Sequence, residues 1–126
     1  MTALRVLVVE DEAIIGMLLA ALLGEMGHAV CAVVATEAEA VAAAAREKPD
    51  LMIVDAGLGR GSGIRAVTAI LRTGFVPHIF VSGSPLTGQA LDPRAVVMLK
   101  PYAEPDIVRA VAKAMAPNAK RKDRKP

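Results

Sequence analysis

Acidic residues gather at two places where an apolar run stops. Glu10, Asp11 and Glu12 end the run Leu4 to Val9, and Asp55 ends the run Leu51 to Val54. Each run is short and aliphatic or β-branched, as a buried parallel strand is, and each leads into a segment that reads as loop then helix. Ligands of open α/β sheets sit in the crevice at the carboxyl ends of the strands, so two such strands deliver their carboxylates to one pocket. Unpaired like charges that close raise one another's pKa and cost stability, and a hard divalent cation with oxygen ligands relieves that cost. The expected chemistry is magnesium binding.

The elements that must position these groups follow from periodicity. After the first strand, Asp11 is expected to cap a helix whose inward positions Ile14, Ile15, Leu18, Leu19, Leu22 and Met26 follow three-and-four spacing, closed by Gly27 and His28. A second strand, Ala29 to Val34, leads to Thr36-Glu37-Ala38-Glu39, a capping-box pattern that opens an alanine-rich helix ending near Lys48-Pro49. The third strand carries Asp55. The loop Ala56 to Gly63 enters a helix through Arg72, Gly74 breaks it, Pro77 to Ser82 forms a fourth strand, and Ala95 to Leu99 a fifth. Lys100-Pro101-Tyr102 then precedes a last helix with Pro105 in its first turn and Ile107, Val108, Val111 and Met115 inward. Strands alternating with helices argue for a parallel sheet covered on both faces. Residues Gly83 to Arg94 depart from the pattern: Gly83, Pro85, Gly88 and Pro93 leave no sustained helical period, so a fourth helix there is short, irregular or absent.

Composition bounds the function. The 126 residues make one domain. The expected division is a folded unit over 1–116 and a basic, disordered tail over 117–126. That tail holds Lys120, Arg121, Lys122, Arg124 and Lys125 against Asp123, a charge of +4 in a chain whose net is +2, so the body is acidic by about two charges. Five exposed cations give only salt-sensitive, sequence-blind contact, and nucleic acid is not an expected partner. The lone Cys31 excludes a disulfide within the chain and reads as an inert thiol in a reducing cytosol. The stretch Ala13 to Leu23 is too short to span a bilayer, so no membrane association and a cytoplasmic location are expected. His28 and His78 lack a second ligand at metal-binding spacing. The alternating glycines Gly57, Gly59, Gly61 and Gly63 match neither the dinucleotide nor the P-loop pattern and read as a flexible loop beside Asp55.

Taken together, Val-Val-Glu10-Asp11-Glu12, Asp55 followed by Leu58 and Gly63, Ser82-Gly83 at a strand end, and Lys100-Pro101 resemble the receiver domain of two-component response regulators over about residues 3 to 116. The resemblance implies a flavodoxin-like, doubly wound five-stranded parallel sheet of order 2-1-3-4-5. It implies that Asp55 is the phosphoacceptor, and that Mg²⁺ is held by Glu10, Asp11, Asp55 and the backbone carbonyl of Gly57. Lys100 would supply a second cation to the phosphoryl group, and Ser82 a hydroxyl that donates to it. A cis Lys100-Pro101 bond is implied as well. The partner classes implied are a histidine kinase or histidine phosphotransfer protein and an output protein of unknown identity. The domain is expected to act as a monomer or weak homodimer, as a stand-alone phosphoacceptor switch and not an enzyme.

The chain also departs from the family pattern. Gly59 stands where receivers commonly carry proline, which implies a looser loop, and Val97 stands where they commonly carry an aromatic residue that swings inward on activation. The stretch around Val76 to Gly83 is similar to a single-domain subgroup whose fourth strand reads Pro-Phe-x-Phe-Ala-Thr-Gly, with Ser82 keeping the hydroxyl. An aspartyl-intermediate phosphatase would want a second acid two residues after its nucleophile, where Gly57 stands. A receiver-like interaction module that signals without phosphoryl turnover is the competing reading, motivated by Val97 and Gly59.

Overall fold

A computed structural model describes residues 3–116; the basic tail expected over 117–126 lies outside the described residues. Five strands, β1 (Arg5–Val9), β2 (Ala29–Val34), β3 (Leu51–Asp55), β4 (His78–Ser82) and β5 (Val96–Leu99), alternate with α1 (Ala13–Glu25), α2 (Glu37–Glu47) and α3 (Gly63–Leu71), and α4 (Glu104–Met115) follows β5. The sheet is parallel with order β2-β1-β3-β4-β5, as the resemblance implied. Successive side chains of a strand point to opposite faces. Val6, Val8, Leu51, Ile53, Ile79 and Val81 therefore pack with Leu19 and Leu23 of α1 and Ile107 and Val111 of α4. Leu7, Val9, Met52, Val54 and Phe80 pack with Ala40 and Ala43 of α2 and Val67 and Ile70 of α3. The continuous apolar strands are those of a sheet buried on both sides.

One helix turns a different face inward from the one expected, and another departs from expectation at a single residue. In α1 the buried residues are Gly16, Leu19 and Leu23, while Ile14 and Leu18 are 72% and 59% exposed and Ile15 also lies at the surface. The helix is apolar nearly all round, so periodicity alone cannot choose its face; close packing does. A Cβ added at Gly16 would meet Val33 Cγ1 at 3.0 Å, which makes Gly16 the point where α1 rests on the sheet. In α4 the buried residues are Ile107, Ala110 and Val111, and Val108 is exposed.

The cap assignments also divide. Thr36 caps α2 as expected, its Oγ1 accepting from Glu39 N–H at 3.1 Å while Glu39 Oε1 accepts from Ala35 N–H. At α1 the capping residue is Glu12, with no side-chain capping bond, in place of Asp11. No helix forms between β4 and β5. That connection is held locally: Asp92 accepts from the backbone N–H, Nε and Nη2 of Arg94, whose guanidinium stacks 3.6 Å over Phe75, and Leu86 and Leu91 tuck against the core.

Candidate functional site

Register sets the site. Val9 of β1 pairs with Val54 of β3, so Glu10 and Asp55 leave adjacent strands side by side. Asp55 pairs with Val81, and Ser82 with Leu99, so the carboxyl ends of four neighbouring strands open on one crevice, where the chain crosses over between β1 and β3. Glu10, Asp11 and Asp55 offer carboxylate oxygens all within 4.8 Å of one another. Glu10 and Asp55 are each only 6% exposed, whereas Asp11 sits at the open rim.

Each acid is held by a backbone amide, and Asp55 by a lysine as well. Asp55 Oδ1 accepts from Gly57 N–H at 3.0 Å and Oδ2 from Lys100 Nζ at 3.1 Å. Glu10 Oε2 accepts from Glu12 N–H at 3.1 Å. Asp11, freed from capping α1, accepts from Gly59 N–H at 2.6 Å, so the loop that reads as loose without its proline is pinned there. The Lys100-Pro101 bond is cis.

Charge and burial compete in this crevice. Burial, joined by the Asp55 carboxylate, pushes Glu10 from 4.5 up to about 7, against the opposing pull of Glu12 N–H and Lys100. Burial works to lower Lys100, yet its bond to Asp55 and the charges of Asp55, Glu10 and Glu12 outweigh it and hold the ammonium above its ordinary value. Three oxygen donors this close, one of them reluctant to ionise, fit a hard divalent cation such as Mg²⁺.

Ser82 stands differently. It is buried at the end of β4, but its Oγ donates to Ser84 O at 2.6 Å and accepts from Ser84 N–H at 3.2 Å, so the hydroxyl is engaged with its own loop. Lys100 N–H donates to Ser82 O at 2.8 Å, which ties the two strand ends together. The histidines are core residues. His28 Nδ1 accepts from Leu4 N–H, and His78 Nδ1 donates to Val76 O beside the Phe75 and Phe80 rings. Cys31 is half-buried, and burial pushes its thiol up.

Two supports escaped sequence reasoning. Gly63 opens α3 so close to β3 that a Cβ would lie 1.9 Å from Asp55 O and 2.7 Å from Val54 Cγ1. Its signals in sequence are its place after Asp55 in the receiver-like pattern and a glycine at a helix start, neither of which shows this contact. Glu37 belongs to the capping pattern of α2 but reaches across to α3, where its Oε2 accepts from Ser62 N–H; no local pattern announces that contact.

The family model for the response regulator receiver domain matches residues 6–112. The chain belongs to the response regulator receiver family. Among curated proteins, this receiver is 37% identical over 118 residues to the phyllosphere-induced regulator PhyR of Methylorubrum extorquens, covering 90% of this chain and 44% of that protein. It is 35% identical over 116 residues to the transcriptional regulatory protein PdtaR of Mycobacterium tuberculosis, covering 89% and 57%. The chain thus spans about half the length of the curated relatives it matches. Among solved structures, the PhyR receiver domain of Erythrobacter litoralis superposes with a TM-score of 0.80 at 35% identity, over 92% of this chain and 95% of that one. SdrG of Sphingomonas melonis superposes with a TM-score of 0.76 at 26% identity, over 92% and 100%. No helix among the described residues is long and apolar enough to cross a membrane.

Proposed function

We propose that this receiver accepts a phosphoryl group on Asp55 from a histidine kinase or histidine phosphotransfer protein and signals by phosphorylation-dependent partner binding or onward transfer. The observation that carries the reading is Lys100 Nζ at 3.1 Å from Asp55 Oδ2, beside the Glu10 and Asp11 carboxylates. Phosphoryl transfer depends on a positioned nucleophile and on cationic charge over the transferring oxygens more than on acid–base work. Gly57 N–H and Lys100 hold the two Asp55 oxygens at fixed orientation. One carboxylate oxygen attacks phosphorus, the P–N bond of the donor phosphohistidine breaks, and the imidazole leaves with its electron pair. Lys100 then pairs with a phosphoryl oxygen in place of the carboxylate, and Ser82 exchanges Ser84 O for another.

Glu10, Asp11, Asp55 and the Gly57 carbonyl are the proposed ligands of Mg²⁺, which when bound supplies positive charge to the phosphoryl oxygens. The product carries about −1.5 to −2 charges where the Asp55 carboxylate carried one, a switch and not a turnover. A cytoplasmic location and action without a second domain are part of the proposal; the match to SdrG over that whole chain supports the latter. Another match, PhyR of Bartonella quintana, is described as an anti-anti-sigma factor, which makes an anti-sigma protein one candidate class of output partner.

Incubation with acetyl phosphate and Mg²⁺ should give an alkali- and hydroxylamine-labile label on the wild-type protein and none on Asp55→Asn. Persistent labelling of that variant refutes the assignment. The engaged Ser82 hydroxyl and the exposed Val97 favour a second reading, an interaction module without phosphoryl turnover; absence of Mg²⁺-dependent labelling in the wild type would select it.

A further inference from the structure

The connection between β3 and α3, residues 56–62, has glycine at 57, 59 and 61, so the free chain has much conformational freedom to lose. Two side chains from outside β3 fasten it. Gly59 N–H donates to Asp11, inside the site. Ser62 N–H donates to Glu37 Oε2 at 2.6 Å, outside it. Glu37 stands in the first turn of α2 and also accepts from Arg65, with Nη2 at 2.8 Å from Oε2 and Nε at 3.4 Å from Oε1. The Arg65 guanidinium and then the Ser62 N–H hold the Glu37 carboxyl below its ordinary value. Gly61 makes the approach possible: its φ is +92°, and a Cβ there would lie 2.1 Å from Glu37 Oε2.

We propose that Glu37 is a positioning residue for phosphoryl acceptance: by accepting the Ser62 N–H it holds the glycine loop against the site, keeping Gly57 and Gly59 oriented toward Asp55 and Asp11. The inference rests on the reading of Asp55 as phosphoacceptor. The ion pair is the lesser part, because the Arg65 side chain is 72% exposed and such surface pairs contribute little. The bond to Ser62 is short, charge-assisted and half-buried, and it anchors the residue that also caps α3 through Ser62 Oγ. A purely structural role, tying α2 to α3, predicts a change in stability alone. A positioning role predicts a change in how much Mg²⁺ the site needs.

The full chain is labelled with acetyl phosphate across a series of Mg²⁺ concentrations, and amide exchange is followed at Ser62 and Gly59 at a temperature where melting curves show every variant folded. In Glu37→Ala the Mg²⁺ concentration for half-maximal labelling should rise roughly tenfold, the scale seen when an outer support of a metal site is removed, while the rate at saturating Mg²⁺ recovers toward wild type. The Ser62 amide should exchange about tenfold faster, the weight of one charged hydrogen bond. Glu37→Gln keeps an acceptor for Ser62 N–H and should remain close to wild type, as should Arg65→Met; Gly61→Ala, which crowds the carboxylate, should behave like Glu37→Ala. A wild-type Mg²⁺ dependence in Glu37→Ala, or an unchanged Ser62 amide, overturns the inference while leaving Asp55 as acceptor. Failure of the wild-type protein to label overturns the acceptor reading and the inference with it.

Discussion

The two halves of the crevice are built on opposite plans. On the β1–β3 side, each of the three clustered carboxylates is anchored: Glu10 by Glu12 N–H, Asp11 by Gly59 N–H, Asp55 by Gly57 N–H and Lys100; and the glycine loop is anchored by Glu37. On the β4–β5 side, no helix joins the two strands, Val97 and Leu99 are exposed on the face of β5 turned away from α4, and the Ser82 hydroxyl is turned to Ser84. The first half gathers charge and must not move, since carboxylates this close are stable only in one arrangement. The second half is the one with slack, and it borders a surface that a partner could read. A switch needs both: a fixed place for new charge and a nearby element with an alternative set of bonds.

The firmest challenge to this contrast is Gly63→Ala. With Asp55 O 1.9 Å from the new Cβ, α3 or β3 must shift, and urea unfolding should register a loss of about 3 kcal/mol or more. Wild-type stability would mean the anchored half has slack of its own. Next comes Lys100→Met, which removes the cation that joins the halves. Labelling of Asp55 should slow by roughly tenfold or more, and stability without metal should fall by about 1–2 kcal/mol, discounted because the ammonium is 37% exposed. Added Mg²⁺ should restore more stability to this variant than to wild type; equal gains would separate the lysine from the acidic cluster.

A titration sharpens the electrostatic side of the contrast. Glu10 holds its proton up to about 7 in the folded chain and only to 4.5 when unfolded. Between those values the folded state binds more protons, so the stabilisation present below pH 4.5 is lost as pH rises to about 7, by at most about 1.4 kcal/mol per pH unit. Denaturant titrations without metal should show that decline, and Glu10→Gln should flatten it; an unchanged slope in the variant would assign the pH dependence elsewhere. Apparent Mg²⁺ affinity should rise over the same interval, since the metal takes the ionised carboxylate.

Much of this was legible in the chain. Aliphatic runs ending in Glu10, Asp55 and Ser82, and Lys100 before Pro101, located the crevice because a parallel strand buried on both faces admits polar groups only at its ends. Gly83, Pro85, Gly88 and Pro93 foretold the missing helix, because those residues forbid a sustained turn wherever they are packed. Other features needed the folded molecule. Three-and-four spacing put Ile14, Ile15 and Leu18 on the inward face of α1, and only the seating of Gly16 on Val33 turned them out and Leu23 in. Asp11 read as a cap as well as a metal ligand, and only the fold showed that it caps nothing and accepts from Gly59, 48 positions later. Gly63 and Glu37 sit in recognisable local patterns, but those patterns say nothing of the backbone of Asp55 or of the Ser62 amide that they meet. Periodicity and polarity are properties of neighbours along the chain, so sequence determines strands, helices and the kinds of groups at their ends; which amide meets which carboxylate across 25 or 48 positions is decided by packing, where a separation of one atom's width admits a glycine and nothing larger.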